Sequence, residues 1–139
     1  MEKNKQMLQE KYLEFQTQEQ KIKQLQASLQ NIDSQILELK SMQDAITDLQ
    51  KVKDGSEVLM PVTPGMFVKG TITDSKKILV NVGSNVVVDK TIKETLGLLD
   101  KQSREVESIR QQFIGEMQKV TDRMQALEME LQSLVSGEE

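Results

Sequence analysis

Glu57–Lys90, EVLMPVTPGMFVKGTITDSKKILVNVGSNVVVDK, is the stretch that decides how this chain folds. It is the part rich in Val, Gly and Pro, and it separates two long arms that contain no Pro and no strand-like alternation. Four β-branched runs succeed one another in it: Val58–Val62, Met66–Thr73, Lys77–Val82 and Val86–Asp89. Thr63-Pro64-Gly65 joins the first two, with Pro presetting one turn dihedral and Gly accepting positive φ. Gly83-Ser84-Asn85 joins the last two as a second hairpin connection. Asp74-Ser75-Lys76 links the pairs, so the centre is predicted to be two successive β-hairpins.

The faces of these strands say what the hairpins need. Period-two alternation puts Val58, Met60, Val62, Met66, Val68 and Ile72 on one face, continued by Ile78, Val80, Val82, Val86 and Val88. The other face carries charged and polar residues, but also Leu59, Phe67, Leu79 and Val87. A half-solvated sheet keeps its second face polar. A segment this short also lacks the mass for its own core, and two hairpins leave open edges. Strands and cover are therefore expected from other subunits, in an obligate oligomer built on these fifteen residues.

Composition points the same way. Aromatic residues make up 3% of the 139 residues, with no Trp, so large side chains for a compact core are scarce. Charged residues are 29%, and the arms consist mainly of good helix formers, which implies long helices. The absence of Cys excludes a disulfide framework and fits a reducing compartment. With no apolar run of membrane-spanning length and no signal-peptide core in MEKNKQMLQE, a soluble, cytoplasmic protein is expected. A net charge of −4 and the lack of any basic stripe with aromatics argue against nucleic acid or a membrane surface as partner.

Both arms carry heptads. In the first, about Glu2 to Lys53, Leu8, Phe15, Ile22, Leu29 and Ile36 recur every seventh residue, and Leu25, Ile32 and Leu39 fill the second seam position. After Leu39 the apolar residues Met42, Ile46 and Leu49 imply a stammer, and Gly55 is expected at the helix C′ position. The second arm opens on the capping box Thr91-Ile92-Lys93-Glu94 and holds Ile92, Leu99, Val106, Phe113, Val120, Leu127 and Leu134 on one seam position. Matched lengths and a hairpin connector predict that the arms fold back on each other, antiparallel, although heptads alone also permit pairing with arms of other chains. The expected class is α+β, mainly α: a long antiparallel coiled-coil hairpin with two β-hairpins between its helices. The expected divisions are 1–53, 54–90 and 91–139.

The free ends of the arms look different from the rest. The second seam position of the first arm becomes Asn4, Lys11 and Gln18, while Met1, Met7, Leu8, Tyr12 and Leu13 cluster there. On the returning arm Met129, Leu131, Leu134 and Val135 lie on or beside the seam. Polar seam residues mixed with off-seam apolar ones are expected to loosen the pairing, leaving either merely frayed ends or an adaptable, Met-containing adhesive surface. Chemistry for catalysis is missing: without His or Cys there is no imidazole base, imidazole ligand or thiol nucleophile, and no glycine-rich phosphate loop occurs. Neither an enzyme nor a cofactor-binding protein is expected.

The central strands resemble one family. Val58-Leu59-Met60-Pro61-Val62, Gly65–Gly70 (GMFVKG) and Ile78–Lys90 (ILVNVGSNVVVDK) are similar to the hairpin motifs of α-class prefoldin subunits, with Asn85 standing where the family has a second glycine. The two-hairpin layout matches as well, since β-class subunits carry one hairpin. The resemblance implies a hexamer of two α-class and four β-class subunits, whose hairpins join in an intersubunit β-barrel from which coiled coils extend. It further implies an ATP-independent holdase that captures non-native client proteins at the coiled-coil tips and passes them to a group II chaperonin. Homo-oligomers or filaments of one subunit type, as gamma-prefoldin forms, are the alternative within the same family, and a coiled-coil spacer is a third.

Overall fold

A computed structural model of the chain describes residues 2–137. Helix α1 is Glu2–Leu49; strands β1 (Glu57–Thr63), β2 (Met66–Thr71), β3 (Lys77–Gly83) and β4 (Val86–Thr91) follow, and helix α2 is Ile92–Ser136. Their contacts divide these residues into two compact units, 2–35 with 106–137, and 36–105.

In the first unit the helices run antiparallel within this one chain. Ion pairs Lys11–Glu130, Glu14–Arg123 and Asp33–Arg110 cross between them, and each pairs an early residue with a late one. Leu25, Ile32, Val120 and Leu127 are buried at the seam, Leu127 completely. Phe15, Ile22, Leu29, Phe113, Met117 and Met124 flank them half-buried. The a/d pattern thus produces a two-helix core, narrow because only two apolar stripes meet.

In the second unit α1 continues to Leu49, and its half-buried residues Ile36, Leu39, Gln43 and Ile46 keep the heptad spacing where a stammer is expected. Gln43, not Met42, turns to the half-buried side in line with Leu39 and Ile46, while Met42 is 45% exposed. The heptad phase holds there, and a lone exposed Met costs little. Nor is Gly55 the helix C′ residue. The amides of Gln50, Lys51 and Val52 donate to the carbonyls of Thr47, Asp48 and Leu49 at 3.2, 3.1 and 3.1 Å, closing the helix with tight i→i−3 turns. Gly55, at φ 85°, instead donates its N–H to the Ile72 carbonyl at 2.7 Å and starts the first hairpin.

Each hairpin is its own two-stranded antiparallel sheet, β1 with β2 and β3 with β4. Met60 faces Val68 and Leu59 faces Lys69 in the first; Val80 faces Val88 and Leu79 faces Asp89 in the second. Each has a register shift just before its turn, between Pro61 and Thr63 and between Asn81 and Gly83. Gly65 takes φ 81° after Pro64, the combination a type II turn requires. Ser84 and Asn85 both adopt positive φ, 51° and 61°, as a type I′ turn demands.

The hairpins are tied to the helix ends. The Asp54 carboxylate accepts the Ser75 backbone N–H at 2.7 Å, and this bond holds the Asp54 carboxyl below its ordinary value. The Ile92 amide donates to the Lys76 carbonyl at 3.2 Å. At the start of α2 the Thr91 half of the expected capping box forms, while Glu94 reaches the Thr91 hydroxyl rather than its backbone N–H. Thr91 Oγ1 accepts the Glu94 N–H at 3.1 Å, and the Glu94 carboxylate takes the Thr91 hydroxyl at 3.2 Å.

Candidate functional site

Two surfaces of the molecule remain chemically unfinished, and each follows from its local sequence. The first is the hairpin pair. Alternating strands with no third layer cannot hide either face, and accordingly Leu59, Met60, Val62, Met66, Phe67 and Val68 are exposed in the first hairpin. Leu79, Val82, Val86, Val87 and Val88 are exposed in the second. Val58, Ile72 and Ile78, near strand ends or the link between hairpins, are half-buried, as is Val80 in the middle of β3. All four strands keep a free edge, since each pairs with a single neighbour. Exposed apolar area of this extent marks an association surface.

The second surface lies in the unit where α1 begins and α2 finishes. A groove of about 830 Å³ runs between the helices there. Leu8, Gln9, Tyr12, Leu13 and Gln16 line it from α1, and Glu128, Leu131, Gln132, Val135 and Ser136 from α2. Five of the residues expected at the tip, Leu8, Tyr12, Leu13, Leu131 and Val135, therefore converge on one groove. Leu134 is half-buried at the seam instead. Met7 and Met129 are exposed without lining the groove, and Met1 lies outside the described residues. The polar lining residues were not anticipated. Their only signal is helical spacing: Gln9 and Gln16 lie four residues before Leu13 and after Tyr12, and Gln132 four after Glu128.

A charge cluster sits directly beside the groove. Arg123 grips Glu14 with two hydrogen bonds, Nε to Oε1 at 2.8 Å and a terminal nitrogen to Oε2 at 3.0 Å. Lys11 binds Glu130, which also lies 4.0 Å from Arg123. The Arg123 bond holds the Glu14 carboxyl below the ordinary carboxylate range, against a smaller opposing effect of desolvation. The Lys11 bond does the same for Glu130, and Arg123 is in turn raised, chiefly by Glu14. Lys11, at a seam position, thus has an ion-pair partner on the opposite helix. Its ammonium crosses to α2 while its stem stays against the seam, with 23% of the side chain exposed.

What these surfaces can do is bind apolar matter. Among the described residues no group of three or more His, Cys, Asp or Glu side chains is placed to hold a metal ion, and no helix is long and apolar enough to cross a membrane.

Comparison with known proteins adds the relatives. The prefoldin subunit family model matches residues 18–137. The chain is 32% identical over 72 residues to prefoldin subunit alpha of Thermofilum pendens, covering 52% of this chain and 56% of that protein. It is 41% identical over 54 residues to prefoldin subunit alpha of Methanopyrus kandleri, covering 39% of this chain and 34% of that protein. The chain thus aligns with about half or less of these relatives' lengths. Among solved structures, filamentous PFD from Methanocaldococcus jannaschii superposes with a TM-score of 0.73 at 20% identity, over 84% of this chain and 96% of that one, a likeness of fold.

Proposed function

This chain belongs to the prefoldin family, as an α-class chaperone subunit, and from that premise we propose that it works in an ATP-independent holdase. In this reading its two hairpins join those of β-class subunits, two α with four β, in a shared β-barrel. The helix ends hold non-native proteins in the cytoplasm and yield them to a group II chaperonin. The observation that carries the proposal is the groove lined by Leu8, Tyr12, Leu13, Leu131 and Val135, an apolar surface that no part of the described chain covers.

The physics of such a grip is additive and weak. Burying client surface contributes about 25 cal/mol per Å², so one groove holds loosely, and several grooves around one client raise the avidity by linkage. No nucleotide chemistry is available in this scheme to force release, so a competing surface on the chaperonin must take the client over.

Deleting residues 2–14 and 129–139 tests the assignment. The shortened subunit is expected to assemble as the full chain does, yet to lose suppression of client aggregation. Undiminished holding by an assembled, shortened particle would move the grip elsewhere. Native mass spectrometry separates this reading from the filament: the purified chain becomes a defined hexamer upon addition of a β-class subunit, whereas a filament-former yields long polymers by itself.

A further inference from the structure

The walls of the tip groove restrict the conformation of whatever lies in it. Both walls are α-helical faces: residues 8, 9, 12, 13 and 16 on one side and 128, 131, 132, 135 and 136 on the other. A helix spends its main-chain N–H and C=O groups on itself, so these walls present side chains and no ladder for an added strand. A segment pressed against Leu8, Tyr12, Leu13, Leu131 and Val135 loses water from the backbone on that side, and only side-chain groups replace it: the Gln9, Gln16 and Gln132 amides, the Tyr12 and Ser136 hydroxyls and the Glu128 carboxylate. A backbone that must satisfy itself is a helix. The dimensions agree, since nine residues of each wall span about 12 Å, two turns of a third helix.

Charge supplies an orientation. Lys11, Glu14, Arg123 and Glu130 are committed to one another. Glu128 is the one ionisable carboxylate in the lining and takes part in no ion pair among the described residues. The antiparallel register places it at the Gln16 end of the groove. Resting on the holdase reading, we infer that the groove selects client segments able to form a short amphipathic helix, apolar at i, i+4 and i+7, with a Lys or Arg facing Glu128. Extended segments of equal hydrophobicity are poor ligands.

Fluorescence anisotropy with the full-length chain tests this with labelled peptides of about fourteen residues, four helical turns. One has Leu, Phe and Leu at the anchor spacing with a single Arg. A second has the same composition plus a central Pro, which is expected to weaken binding by roughly a hundredfold, the cost of proline inside a helix. A third replaces Arg by Gln and is expected to bind about two- to fivefold more weakly, a difference that Glu128→Gln removes. Leu13→Ser with Val135→Ser should abolish binding of the first peptide and, in parallel, suppression of aggregation of a guanidinium-denatured enzyme. If the proline peptide binds as well as the helical one while the double variant loses both, the helix preference is wrong and the grip stands. If the double variant still suppresses aggregation at full strength, the groove is not the grip and both readings fall.

Discussion

At the scale of single residues, the second hairpin turn shows how much a side chain must tolerate. Ser84 and Asn85 sit at φ 51° and 61°, where an L-residue ordinarily pays about 1–2 kcal/mol. Asn reduces that cost because its short amide bonds locally, and the Asn81 amide oxygen helps by accepting the Gly83 N–H at 3.0 Å. Asn85→Val, which adds β-branching at a left-handed position, should therefore open the β3–β4 hairpin. Amide hydrogen exchange would read this as a drop of about tenfold or more in protection along β4, whereas Asn85→Gly keeps or improves it. Equal protection in Asn85→Val would mean that the turn is not what sets this register. This position was legible beforehand, since Gly-Ser-Asn between two Val-rich runs has few other uses. Gly55 was misread because a glycine after a helical pattern looks like a cap, and only the hydrogen bond to Ile72 shows that it opens a strand instead.

At the scale of elements, the heptads foretold most of the helix pair and failed where residue type and position part company. Leu25, Ile32, Val120 and Leu127 are buried as their spacing requires. Met42 drew the seam towards itself by hydrophobicity alone, yet the rigid phase of α1 gives the place to Gln43. The slide of one helix along the other is legible too, because the hairpin connector and matched arms put Leu8 near Leu134; which charged side chains pair across the helices is not. The charge cluster beside the groove supplies that information, and it titrates. Glu14 and Glu130 are held below the ordinary carboxylate range in the folded state, by Arg123 and Lys11 respectively. A depressed folded-state pKa contributes stability that is fully present above the unfolded value, about 4.3 for Glu, and is lost as pH falls through the folded one. Acidification below about pH 4 should hence loosen this end of the helix pair first. Glu14→Gln with Glu130→Gln should be less stable than the parent at neutral pH and should show a flatter fall in melting temperature on acidification. Parallel acid profiles for the two proteins would remove the cluster from the account.

At the scale of the molecule, the two unfinished surfaces are exposed to different degrees and face different fates. Each Leu or Phe taken from water contributes about 1.5–3 kcal/mol, and the hairpins expose eleven large apolar side chains. That is more than a lone chain can leave wet without associating, and the free strand edges offer backbone hydrogen bonds besides. The groove between the helix ends has no free strand edge and carries amides among its lining residues. On the proposed function, assembly and capture are expected to be separable by mutation. Phe67→Ser with Leu79→Ser changes one exposed side chain in each hairpin, at 57% and 70% exposure, and touches neither helix. Sedimentation should show the assembled particle giving way to smaller species, while far-ultraviolet circular dichroism keeps its helical amplitude because α1 and α2 bury their own seam. Leu37→Ser, at an α1 position 68% exposed, is the matching control and should assemble like the parent. If Leu37→Ser dissociates the particle and the hairpin variant does not, the helices rather than the hairpins hold the subunits together, and the hairpins are not the assembly surface.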